Sequence, residues 1–248
     1  MEPCRYLVLG PMLVRTPEGQ LEAPGGPVTR AVLAALLIAA NHAVSQDLLI
    51  EETWGDGAPH DPEHSLHSQV TRLRRLLGPE AITRSGRSYT LTVADDSIDA
   101  MRFENLAGQA SDAEDADTTR ALCLEGLELW RGAPFGDLAD RDFLRLETYR
   151  LEEIRLNVIE TCFDADLELG RHQEIVASLR AAVTQYPFRE TLWGQLVTAL
   201  GRSGRQPEGL RVYDEYASFL RSELGIQPGV AMQRLRDGIV ADRAQPTA

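Results

Sequence analysis

The chain has 248 residues, 43% of them hydrophobic, enough for one large or two ordinary domains with buried cores, and no apolar run approaches the roughly 20 residues of a membrane span. Its formal charge is -13 and all 25 basic residues are arginine, which excludes lysine-dependent catalysis and a Walker phosphate loop. The three cysteines (Cys4, Cys123, Cys162) lack the spacing of a zinc cage or a disulfide framework, and no signal-peptide pattern opens the chain, so a cytoplasmic protein is expected.

Arg5–Leu9 and Met12–Arg15 are apolar runs bounded by Gly10-Pro11 and Pro17-Glu18-Gly19, the pattern of short strands. A helix is expected from Thr29 or a neighbour to Ala40. Ser45 then stands as N-cap of a second helix, Gln46–Trp54, because its hydroxyl can accept an orphan backbone N–H. Gly55–Pro59 breaks that helix, and a third runs from Pro62, a good first-turn residue, to Leu77, where Gly78-Pro79 ends it. A hairpin follows over Ile82–Val93. Strands, three helices and a hairpin in that order make a winged helix-turn-helix with a small N-terminal sheet.

The pattern changes around Asp95-Asp96-Ser97. From Asp99 the chain reads as helix after helix, with an acidic solvated loop at Ser111–Asp117, a break at Arg131–Gly136 and a polar, frayed tail at Gln245–Ala248. A shift of about 34 residues, the tetratricopeptide period, aligns Ile159 with Trp193, Cys162 with Leu196, Ala165 with Ala199, Gly170-Arg171 with Gly204-Arg205, and Leu179 with Tyr213. Gly209 stands where alanine is usual in such repeats. The expected fold is therefore mainly α with a small β component: a winged helix-turn-helix over residues 1–95, then an all-helical tetratricopeptide-like domain over residues 96–248.

Charge separates the two parts. Between Leu66 and Val93 five arginines (Arg72, Arg74, Arg75, Arg84, Arg87) face one acid, Glu80, whereas beyond residue 95 there are 17 arginines against 27 acids. A local reversal of sign on one helix and the following β-ribbon is the footprint of a double-stranded DNA reader. On the third helix Leu66, Val70, Leu73 and Leu77 share a narrow face. With that face buried, the other side presents His64, Ser68, Thr71, Arg72 and Arg75, flanked by Gln69 and His67. Arginine can fork onto guanine, glutamine onto adenine, and serine or threonine onto phosphate or a base edge. Arg84 and Arg87 are carried to the hairpin tip, where cations meet phosphates or the minor groove.

Other chemistry is poorly supported. His60, His64 and His67 with Asp61 and Glu63 lack a nearby cysteine or fourth histidine, so neither metal nor cofactor is expected. No Ser/His/Asp arrangement, H-E-x-x-H or G-x-G-x-x-G is readable, which argues against an enzyme.

Residues 1 to about 95 resemble the winged-helix output domains of the OmpR/PhoB type, whose third helix ends in a similar Val-x-x-Leu-Arg-x-x-Leu run (here Val70 to Leu77). Over almost its full length the chain resembles the Streptomyces antibiotic regulatory proteins. The resemblance is carried by Leu9-Gly10-Pro11, Gly25-Gly26, Arg30–Ala34, Val70–Leu77, Leu129-Trp130-Arg131-Gly132, Arg189-Glu190 with Trp193, Ala199-Leu200, Ser203–Gln206, and Glu223-Leu224-Gly225 with Pro228-Gly229. It implies a transcriptional activator that binds promoter direct repeats, side by side, and recruits RNA polymerase holoenzyme to antibiotic or other secondary-metabolite genes. A dimer is left open. It also implies a short form, ending after the activation domain without the ATPase and sensor modules of longer members. The sequence departs from the family at Ser88, where a glycine usually precedes the wing tyrosine, at Arg87, which adds a charge, and at His60 and His67. The alternative is a protein-interaction scaffold whose winged helix docks protein instead of DNA.

Overall fold

The computed structural model describes residues 4–244; the tail Gln245–Ala248 lies outside them. Strands β1 (Tyr6–Leu7), β2 (Leu13–Arg15) and β3 (Leu21–Glu22) form an antiparallel sheet in that order, with Tyr6 opposite Val14 and Val14 opposite Glu22. The strand expected over Arg5–Leu9 is shorter because the backbone N–H groups of Val8 and Leu9 donate to the carboxylate of Asp99 instead of to a ladder. β3 and the later β4 (Val44–Ser45) were not legible, since two residues carry no alternation.

Helix α1 (Pro27–Ile38) starts and stops two residues before the expected span, with Pro27 in the first turn, where a missing N–H costs nothing. It is the central element: every side chain from Ala31 to Leu37 is buried. Helix α2 (Gln46–Trp54) begins on Ser45, whose hydroxyl accepts the Leu48 N–H at 3.1 Å, as expected. Helix α3 (Pro62–Leu77) has the expected limits and is capped by Asp61, which accepts the His64 N–H at 3.0 Å. Strands β5 (Ile82–Ser85) and β6 (Ser88–Leu91) form the hairpin, and β4 pairs with the far edge of β6, giving the order β4-β6-β5. Gly86 takes φ +59° at the first position of the two-residue turn, the backbone that a II′ hairpin turn demands.

Seven helices follow among the described residues: α4 (Asp99–Asp112), α5 (Ala116–Glu128), α6 (Asp142–Glu168), α7 (Val176–Gln185), α8 (Glu190–Arg202), α9 (Gln206–Leu224) and α10 (Val230–Ala244). The acidic stretch at 111–117 is mostly not the loop expected from its charge. α4 continues through Asp112, and Asp115 serves as a cap, its carboxylate accepting the Thr118 N–H at 2.8 Å. That bond holds the Asp115 carboxyl below its ordinary range.

The chain divides into two compact units. One holds the described residues up to Gly108 with Glu125–Leu156; the other holds Gln109–Leu124 with the described residues from Asn157 onward. In the second unit the 34-residue period is visible as backbone geometry. Gly170 and Gly204 both have φ +75°, and each is followed by an arginine N–H that reaches back five residues, Arg171 to Asp166 and Arg205 to Leu200, both at 2.9 Å. Cys162, Ala165 and Leu179 are buried, as are their counterparts Leu196, Ala199 and Tyr213.

In the first unit the segment after α5 folds back on the N-terminal strand. Arg131 N–H donates to Leu9 O and Phe135 N–H to Val8 O, both at 2.7 Å. Gly136, at φ +56°, lies so near Pro11 that an added Cβ would stand 2.8 Å from the Pro11 Cα. Gly136→Ala is expected to destabilise the chain by about 1–3 kcal/mol or more, since the left-handed backbone and a backbone clash add. A thermal midpoint equal to that of the parent chain would show that this loop yields without cost.

Candidate nucleic-acid interface

Helix α3 packs on α1 and α2 through the predicted stripe: Leu66, Val70 and Leu73 have no exposed surface and Leu77 has 3%. Burying four apolar side chains at i, i+4, i+7 and i+11 fixes the rotation of the helix, so the opposite face is presented by necessity. His64, His67, Arg72 and Arg75 are exposed there, with Ser68, Gln69 and Thr71 half-buried. The C-terminal end is tied down by two cations. Arg5 donates to the Leu77 carbonyl, and Arg74 donates to the Ile82 carbonyl of β5 at 2.8 Å.

The predicted residues differ in how far their side chains are already committed within the chain. Arg72 and Arg75 are exposed and, among the described residues, make no hydrogen bond or ion pair within the chain. Both guanidinium forks are therefore available to a ligand. Gln69 and Thr71 are partly committed: Gln69 Oε1 accepts from the buried Thr29 hydroxyl of α1 at 2.8 Å, and the Thr71 hydroxyl donates to the His67 carbonyl at 2.9 Å. Engaging adenine with both ends of Gln69 would make its Oε1 accept a second hydrogen bond beside the one from Thr29.

The wing arginines differ from each other. Arg84 lies over the Tyr89 ring, 5.5 Å from the centroid, and its Nε–H donates to Gly86 O at 3.1 Å, which leaves its terminal nitrogens outward. Arg87 is held by acids. Its Nη2 donates to Asp47 at the start of α2 (2.8 Å) and to Glu63 at the start of α3 (3.0 Å). The expectation of an arginine free at the wing tip therefore changes: its cation already faces two carboxylates. Sequence reading missed this pair because the two acids lie 40 and 24 residues away. Their first-turn positions on α2 and α3, beside a hairpin, were the available signal. It also missed Asp99. That carboxylate has no exposed surface, accepts the N–H groups of Val8 (2.7 Å) and Leu9 (3.2 Å), and meets Arg131 Nη2 at 3.4 Å. Burial pushes its pKa up in spite of these partners.

Residues 22–93 match the family Transcriptional regulatory protein, C terminal, and residues 98–240 match the Bacterial transcriptional activator domain. The regulatory protein DnrI of Streptomyces peucetius is 31% identical over 96% of this chain and 92% of its own length. The chain belongs to the Streptomyces antibiotic regulatory protein family. The regulatory protein AfsR of Streptomyces coelicolor is 34% identical over 95% of the chain, which spans 24% of AfsR. The solved structure of Mycobacterium tuberculosis EmbR, in complex with a low-affinity phosphopeptide, superposes with a TM-score of 0.87 at 31% identity, covering 98% of this chain and 66% of that one.

In this member of the family, two of the motifs that carry the resemblance touch each other. Leu9-Gly10-Pro11 receives Arg131-Gly132: the Arg131 guanidinium donates to Pro11 O at 3.0 Å, and a Cβ on Gly10 would stand 2.9 Å from the Arg131 Cβ. Among the described residues no helix is long and apolar enough to cross a membrane.

Proposed function

We propose that the chain is a sequence-specific, DNA-binding transcriptional activator of a secondary-metabolite gene cluster. It binds direct repeats in promoters as side-by-side copies and recruits RNA polymerase. The observation that carries this reading is the pair Arg72 and Arg75, exposed and unpartnered on the third helix of a winged helix-turn-helix within a chain of charge -13. Members of a regulator family cover nearly all of the chain, which supports the reading.

In this reading His64, Ser68, Thr71, Arg72 and Arg75 face the major groove, Gln69 supports them from the flank, and Arg84 meets the backbone beside them. Residues 1–95 address DNA and the acidic residues 96–248 address the transcription machinery. Part of the latter span (99–108 and 125–156) packs within the first unit, so the division is better tested by surface substitutions than by cutting at residue 95.

The test is binding of the purified chain to promoter fragments from its own gene neighbourhood, followed over salt concentration. Affinity is expected to fall log-linearly with salt, with a slope of about -0.9 per phosphate contacted. Failure to shift any of those fragments at low salt would sink the proposal.

A further inference from the structure

We propose that Arg87 serves the DNA-reading face by cancelling the charge of Asp47 and Glu63, and that it is a positioning residue with no phosphate contact of its own. The inference rests on the DNA-binding reading above.

Asp47 and Glu63 each stand in the first turn of a helix, α2 and α3, where a carboxylate is favoured by the N-terminal helix dipole. The same helix starts are where a helix-turn-helix protein meets phosphates and base edges. Two carboxylates useful to their own helices therefore lie where a polyanion approaches, Glu63 directly before His64. One group joins them. Arg87 Nη2 spends both of its hydrogens on them, at 2.8 Å and 3.0 Å.

The backbone holds that group in reach. Arg87 O accepts the Gln46 N–H at 2.7 Å, and Ser88 pairs with Ser45, so the hairpin turn is fixed against the first residue of α2. The arginine is thereby held beside the two helix starts and is not carried on a free tip. The trio has a net charge of -1, and without Arg87 it would have -2. In the free chain these pairs are exposed, 58% for Arg87 against 77% and 55% for the acids, and such pairs add little to folding. Against DNA the same charge count acts on a dense row of phosphates, where juxtaposed like charges are costly.

A four-chain cycle tests this: the parent, Arg87→Ala, Asp47→Asn with Glu63→Gln, and all three together, each titrated against the same promoter duplex. Arg87→Ala is expected to weaken binding about tenfold in the parent and less than about threefold once the acids are neutral. Equal losses in both backgrounds overturn the proposal, because a direct phosphate contact does not depend on the acids. A melting point that falls with Arg87→Ala in step with affinity also overturns it, by assigning the loss to folding. If neither the parent nor the neutralised chain binds any fragment, the DNA-binding reading itself fails, which is a separate result from two binding chains with equal Arg87 losses.

Discussion

Alanine at both Arg72 and Arg75 is expected to abolish specific promoter binding while leaving the fold intact. Each guanidinium is exposed and makes no intramolecular bond among the described residues, so truncation removes nothing from the folded chain and changes its stability by less than about 0.5 kcal/mol. A bidentate arginine on a guanine edge contributes about 1–3 kcal/mol of discrimination, whereas loss of a phosphate contact weakens binding to all sequences and makes the salt slope shallower by about one per site. The two roles are separable. If Arg72 reads a base, its alanine variant loses discrimination between promoter and competitor DNA; if it binds phosphate, both affinities fall together. Fluorescence anisotropy with labelled promoter and unlabelled nonspecific duplex resolves the two. Unchanged promoter affinity in the double variant would remove α3 as the reading helix.

The second large effect is on folding. Asp99→Ala leaves the backbone N–H groups of Val8 and Leu9 without their buried acceptor and removes the carboxylate facing Arg131, and is expected to cost about 3–5 kcal/mol. Amide hydrogen exchange at Val8 and Leu9 gives the direct readout, and exchange as slow as in the parent would contradict it. The pH dependence has a defined sign. Burial raises the Asp99 pKa in the folded chain, so the folded state binds its proton more tightly than the unfolded one. The stability it contributes is fully present below the unfolded carboxyl value, about 3.9, and is lost as pH rises through the higher folded value. Paired melts of the parent and Asp99→Asn should show the parent losing ground as pH rises. A parent advantage that grows with pH would contradict the burial account.

Helices with strong caps and periodic apolar faces are legible in the amino-acid sequence. Ser45 and Pro62 mark the starts of α2 and α3, and the Leu66–Leu77 stripe sets which side of α3 faces out. The glycine turns at 170 and 204 gave the repeat its period, because a left-handed residue at a helix end leaves a fixed sequence mark. What escaped was long-range. Two-residue strands are held by partners far along the chain, as β4 is by β6. Asp99 looked like one more acid in an acidic chain, because its burial depends on Val8 and Leu9, 91 and 90 residues away. Arg87 looked like a free cation because its acids belong to two other helices. Interactions of that kind have no local pattern, and only the fold brings them together.

The contact between Leu9-Gly10-Pro11 and Arg131–Gly136 bears on how readers might be exchanged between relatives. A chimera joined at residue 95 would set one parent's N-terminal strand against the other's Asp99 and Arg131 loop. Gly10 and Gly136 leave no room there for a mismatched side chain. Crossovers placed beyond Leu156 keep both sides of that contact from one parent, but they divide the second unit between Gln109–Leu124 and the residues from Asn157, so they are expected to fold only where pairs such as Arg120–Asp166 (2.6 Å) are matched in both parents.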